Sequence, residues 1–145
     1  MKLTMQRIDQ GEDEVIIRYR EQDKRIRAIA ELIRGMEQKL CGSCGEEKVM
    51  FLPEEVLYLE SVDGVSFAYL TDKVCRMGES LGELADAFGT RGYFRCSKSM
   101  VLNLYRIAAL KSEPGSRIRA TMENGEQVMI SRKYAGKLRE ILRQG

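Results

Sequence analysis

Residues 55–70 read EVLYLESVDGVSFAYL, and this stretch decides what kind of fold the chain takes. Two runs rich in apolar, β-branched and aromatic residues, Glu55–Val62 and Val65–Leu70, flank the dipeptide Asp63-Gly64. Asp and Gly both tolerate positive φ, so a two-residue connection of this kind closes a tight antiparallel hairpin. The spacing predicts an architecture built on antiparallel strands.

Working outward, further short runs with strand character follow at Lys73–Met77, Tyr93–Ser97, Arg106–Lys111, Arg117–Met122 and Gln127–Ile130, and one precedes at Lys48–Leu52, ended by Pro53. Thr71-Asp72, Pro114-Gly115 and Asn124-Gly125 supply turns between them. Ser80 to Phe88 interrupts the strands with Leu81, Leu84, Ala85 and Phe88 at helical spacing, and Ser80 with Glu83 forms a capping-box pair. Ser131 stands at the start of a last helix, whose apolar stripe is Tyr134, Leu138, Ile141 and Leu142.

The first 45 residues read differently. Leu3–Ile8 and Val15–Tyr19, separated by the turn-rich Asp9–Asp13, predict a β-hairpin. From about Asp23 the period changes, with Ile26, Ile29, Ile33, Met36 and Leu40 three or four apart, which predicts an amphipathic helix ended by Gly42 and Gly45. The expected class is therefore α+β and mostly antiparallel β, with a β-β-α lead-in over residues 1–45, a body over 46–145 and a C-terminal helix. The lead-in is expected to pack on the body.

The chain has 145 residues, 24 Lys+Arg, 22 Asp+Glu, four Cys, no His and no Trp. A domain of this size buries about 68–70% of its unfolded surface and needs no metal or disulfide to fold. Without His there is no imidazole base, no Ser-His-Asp or Cys-His nucleophile and no imidazole zinc ligand, and no glycine-rich phosphate cradle or nucleophile elbow occurs, so an enzyme is not expected. No cofactor and no small-molecule substrate are expected either. No apolar run reaches the length of a membrane span, and a cytoplasmic location is the expectation.

The near-neutral balance conceals a division. Residues 1–88 carry 12 basic and 18 acidic side chains, a net of −6, and residues 89–145 carry 12 basic and 4 acidic, a net of +8. Between Arg91 and Arg119 seven basic residues face Glu113 alone, the footprint of a polyanion binder, or else of solvated strand edges. A second chemistry is suggested by Cys41-Gly-Ser-Cys44, since two thiols three positions apart can chelate a metal or close a redox ring. A thiol-based zinc or redox module using Cys41 and Cys44 is thus the alternative function. A protein-interaction module whose basic face meets an acidic partner is a third.

Four blocks in order, Leu57–Gly64, Ser80–Leu84, Tyr93–Asn103 and Ile130–Tyr134, together resemble the LytTR DNA-binding domain over residues 46–143. The resemblance implies an elongated set of antiparallel sheets that contacts successive major grooves of double-stranded DNA by loops rather than by a recognition helix. It assigns a first DNA-facing loop to Asp63, Gly64, Val65 and Ser66, a second to Arg95, Ser97, Lys98 and Ser99, and a third to Ser131, Arg132 and Lys133. Arg and Lys donate to guanine or phosphate and Ser to phosphate, so these residue types suit the task. Ser97 stands where the family frequently has His, so base preference does not transfer.

Many relatives carry a receiver domain ahead of this one. The 45 residues here are too few for one, and the chain resembles the stand-alone regulators of the family. By that resemblance the expected partners are promoter repeats bound by a homodimer and a membrane-protein regulator encoded nearby.

Overall fold

The computed structural model describes residues 1–35 and 39–144. It contains helices α1 (Lys24–Arg34), α2 (Leu81–Phe88) and α3 (Arg132–Gln144). The strands are β1 (Leu40–Cys44), β2 (Glu47–Phe51), β3 (Tyr58–Val62), β4 (Val65–Tyr69), β5 (Val74–Met77), β6 (Tyr93–Ser97), β7 (Met100–Asn103), β8 (Ile107–Glu113), β9 (Arg117–Met122) and β10 (Gln127–Ile130). Seven strands form one sheet in the order β2-β1-β5-β4-β3-β7-β6, and β10-β9-β8 form a second. Every pairing is antiparallel.

The hairpin that opens the sequence reading is β3–β4. Val62 pairs with Val65, and the two residues between them, Asp63 and Gly64, have φ of 51° and 78°. Positive φ at both positions is the primed turn whose twist matches that of paired strands. Tyr58 and Tyr69, opposite each other at the far end, stack with ring centroids 4.3 Å apart.

Two apolar clusters hold the sheets. The first lies under α2 and joins Leu81, Leu84 and Phe88 to Leu59, Ala68, Cys75, Met77 and Val101 of the seven-stranded sheet. The Ser80 side chain accepts the Glu83 backbone N–H at 3.1 Å and starts α2 as the capping pattern requires. The second cluster lies between the sheets and under α3, where Leu57, Phe94, Cys96 and Leu102 meet Ile118, Ala120, Val128, Ile130, Ala135 and Leu138. Each fully buried Leu or Ile contributes about 1.5–3 kcal/mol relative to exposure.

A polar hub sets the approach of the chain to β3. Asn103, 1% exposed, donates from Nδ2 to the Val56 carbonyl at 2.9 Å and from its backbone N–H to the Leu57 carbonyl at 3.0 Å, while its Oδ1 accepts the Tyr105 N–H at 3.0 Å. Beside it the buried Arg91 pairs with Glu54, the Tyr93 hydroxyl donates to the Pro53 carbonyl at 2.8 Å, and Arg106 Nε donates to the Glu54 carbonyl at 2.8 Å.

Three sequence expectations are corrected. Residues 1–22 form no strands: Leu3, Met5, Val15 and Ile16 are exposed, because a lone two-stranded ribbon with nothing on its apolar face is not stable in water. The helix predicted from Asp23 ends at Arg34, capped at its start by the Asp23 side chain on the Ile26 N–H, and Leu40 belongs to β1 instead. Met36 lies outside the described residues. Leu40–Cys44, expected at Gly42 only to break the helix, is a strand paired residue for residue with β2 from Leu40↔Phe51 to Cys44↔Glu47. The expected boundary at 45/46 therefore falls in the turn of a hairpin whose first strand belongs to the large sheet.

Replacing Asn103 by Ala leaves the Val56 carbonyl and the Tyr105 N–H without their partners. The expected loss, read from urea denaturation at unchanged m-value, is about 1–3 kcal/mol for each buried group left unpaired.

Candidate nucleic-acid interface

The register of the large sheet brings the first two expected loops to one end, and a backbone hydrogen bond sets the third beside them. β3 runs toward the Asp63-Gly64 turn, and β7, paired antiparallel with it through Glu60↔Met100, leaves the Ser97–Ser99 turn at the same end. The Ser61 N–H donates to the Ser99 carbonyl at 2.8 Å, tying the two turns together. Between Arg95 and Ser97 the β6–β7 register shifts, so Cys96 is an extra residue, a bulge that re-aims the end of the strand. The carbonyl of that same Cys96 accepts the Ser131 N–H at 2.9 Å. One backbone hydrogen bond thereby sets the start of α3 beside the second turn.

Within this frame the candidate residues have distinct positions. Asp63 and Gly64 are exposed at the hairpin tip and Val65 is half-buried. Ser66 is 5% exposed, on the core face with Ala68 and opposite Met77, so its hydroxyl is not presented to a ligand. Lys98 and Ser99 are exposed and Ser97 is half-buried. Arg95 turns inward along its own loop, with Nε donating to the Ser97 carbonyl at 3.0 Å and Nη2 to the Lys98 carbonyl. The guanidinium holds the turn in shape and leaves Lys98 as its outward charge.

At the third segment the Ser131 carbonyl accepts the Ala135 N–H at 2.9 Å, which begins α3. Arg132 and Lys133 are exposed on its first turn, and the Lys133 ammonium lies 5.4 Å from the centre of the Tyr134 ring. The unpaired N–H groups of a helix start favour an anion, and here two cations flank them.

The basic excess between residues 91 and 119 is mostly used inside the protein. Arg91 pairs with Glu54, Arg106 with Glu123 at 3.0 Å and Arg119 with Glu113 at 3.1 Å, while Arg117 donates to the Pro114 carbonyl at 3.1 Å. Sequence counting does not separate these from Lys98, because Glu54 and Glu123 stand 37 and 17 positions from their arginines and Arg117 is held by a backbone carbonyl. Two further contributors were also not foreseen, the Ser61 tether and strand β7. The polar trio Ser97-Lys98-Ser99 between two apolar runs is the signal that marks that hairpin.

The Cys41/Cys44 expectation does not survive the geometry. Both lie in β1 three positions apart, where side chains alternate faces and the rise is about 10 Å, so they do not share a ligand. Among the described residues no group of three or more Cys, Asp or Glu side chains is arranged to hold a metal ion.

The family model for the LytTr DNA-binding domain matches residues 46–143. The chain belongs to the LytTR family. A solved structure, the LytTr DNA-binding domain of a protein described as a methyl-accepting/DNA response regulator from Bacillus cereus, superposes with a TM-score of 0.68 at 24% identity, covering 72% of this chain and 95% of that one. A search of curated proteins returns no match. As a LytTR domain the chain is a binder of double-stranded DNA on a fold that is not an enzyme family. No helix among the described residues is long and apolar enough to cross a membrane.

Cys96 gives this rim a chemical marker. Burial pushes its thiol up to about 12, whereas Cys41 is exposed. In native protein at pH 8 a thiol reagent is expected to label Cys41 quickly and to reach Cys96 only after denaturant is added, as mass mapping of labelled peptides reads directly.

Proposed function

We propose that this LytTR protein is a sequence-specific transcriptional regulator that contacts successive major grooves by three segments: Asp63–Val65, Ser97–Ser99 and Ser131–Lys133. The observation that carries the reading is the placement of three exposed cations, Lys98, Arg132 and Lys133, on one rim joined by the Ser61–Ser99 and Ser131–Cys96 hydrogen bonds. In this reading Lys98 and Lys133 contact DNA, with Arg132, Ser97, Ser99 and Ser131 beside them. Asp63 and Val65 fill the groove edge at the hairpin tip, where Asp63 accepts from a cytosine amine or excludes a phosphate. Arg95 is a positioning residue, and Ser66 supports the hairpin from beneath.

Fluorescence anisotropy on duplexes from the upstream region of its own gene tests this. Lys98→Ala and Lys133→Ala are expected to weaken specific binding by about 1–3 kcal/mol each where the contact is to a base, with thermal unfolding unchanged. Where the contact is to a phosphate, each substitution instead flattens the slope of log K against log salt by about 0.9. Wild-type affinity in both variants, or equal affinity of the wild type for random duplex, refutes the reading.

We further infer that two copies act together through the N-terminal arm. Leu3, Met5, Val15, Ile16 and Tyr19 are exposed within 22 residues, more than a solvated tail carries. A second copy of the arm supplies the additional strands that a lone hairpin lacks. Sedimentation equilibrium is expected to show a dimer that the pair Leu3→Asp and Ile16→Asp converts to monomer, and a monomeric wild type at all concentrations contradicts it.

A further inference from the structure

The cysteine that β1 brings near a second thiol is not the one its sequence motif suggests. β1 and β5 pair antiparallel through Gly42↔Met77 and Ser43↔Arg76, and one more step of that register sets Cys44 opposite Cys75. Opposed residues share a face, and here it is the core face: Cys75 is 0% exposed and Met77 4%, with Cys44 packed on the same cluster. The strands approach closely, since a Cβ at Gly42 would lie 2.7 Å from that of Cys75. The Cys44 Sγ donates to the Val74 carbonyl at 3.2 Å, against the backbone next to Cys75. Both are free thiols, with Cys44 reachable from solvent and Cys75 enclosed.

Cα atoms opposed across antiparallel strands are about 4.5–5.5 Å apart, within the range that a disulfide spans. Neither other cysteine competes. Cys41 is on the outer face of β1, and Cys96 belongs to the second apolar cluster beneath α3.

We propose that Cys44 and Cys75 form an oxidation site, which a peroxide converts to an intramolecular disulfide cross-linking β1 to β5. The Cys44 sulfur, as thiolate, attacks one oxygen of hydrogen peroxide; the O–O bond breaks, hydroxide leaves and takes up a proton as water, and Cys44 becomes a sulfenic acid. The Cys75 sulfur then gives up its proton and attacks the Cys44 sulfur. The S–S bond forms as the S–O bond breaks, and the second hydroxide leaves as water. Two thiols and one peroxide yield one disulfide and two waters.

Burial raises the Cys75 thiol, and the neighbouring Cys44 thiol adds to that. Exposure makes Cys44 the sulfur that meets the oxidant, with the enclosed Cys75 resolving it. The product fixes the β1–β2 hairpin, the outer edge of the large sheet, to a strand that it otherwise holds by a short ladder.

The test uses the full chain, treated with hydrogen peroxide, alkylated under denaturing conditions and digested with trypsin. Free thiols are expected to fall from four to two per chain with a mass loss of about 2 Da and return with a reductant. A linked pair of peptides, Leu40–Lys48 with Val74–Arg76, is expected in the wild type and in Cys41→Ser, and absent in Cys44→Ser. Cys44 is half-buried, so its serine variant avoids the folding risk of replacing the enclosed Cys75. Retention of four thiols overturns the proposal, as does a link between Cys41 and Cys44, a link between two chains, or loss of the 44–75 link in Cys41→Ser. None of these readouts depends on DNA.

Discussion

A single buried amide decides where the rim that carries Asp63, Gly64 and Lys98 stands. Asn103 closes β7 and, through its side chain and backbone, grips the carbonyls of Val56 and Leu57 just before β3 begins. With that end fixed, Tyr58 can only face Leu102, and every later pair along β3 and β7 follows in step. The level of the Asp63-Gly64 turn relative to Ser97–Ser99 is therefore set at the opposite end of the strands. A one-residue slip would send every core side chain of β3 to the other face, so the amide and the apolar pattern enforce the same register.

Around that amide the arginines divide into two kinds. Arg91, 6% exposed, is desolvated and depends on Glu54, because an unpaired guanidinium at such a site would be severely destabilising. Arg95 and Arg106 likewise spend their donors on backbone carbonyls. Among the exposed cations, Lys98, Arg132 and Lys133 lie at the rim, whereas Lys111 stands on β8 and Lys137 and Arg143 farther along α3. What matters electrostatically is thus the distribution of unpaired donors, for which the net charge of the C-terminal half is a poor guide.

Much of this was legible before any coordinates. The Asp63-Gly64 hairpin, the Ser80 cap on α2 and the apolar stripe of α3 are local signals, each set by residues within a few positions of one another. β1 escaped notice because Gly42 and Ser43 occupy the positions where an alternating strand shows its pattern, and only the partners Met77 and Phe51 reveal it. β7 does not show itself because Met100, Val101 and Leu102 are a continuous apolar run without the alternation of a strand. The opposite error occurred at residues 3–19, where a good strand pattern forms no ladder because strand propensity acts through neighbours. At the candidate site, sequence blocks named the loops. They could not tell that Ser66 faces inward or that Arg95 holds its own turn, since both depend on the bulge and on cross-strand pairing.

The strand order of the large sheet also has a meaning for how the chain assembles. Its hairpins β1–β2, β3–β4, β4–β5 and β6–β7 close over a few residues, whereas bringing Ser43 beside Arg76 or Tyr58 beside Leu102 requires long intervening segments to surrender their freedom first. Such distant closures dominate the entropy barrier of an antiparallel fold. Two of the three candidate segments, Asp63–Val65 and Ser97–Ser99, are the tips of such short-range hairpins, so they are among the parts ordered at least entropic expense, and the far pairings serve to align them.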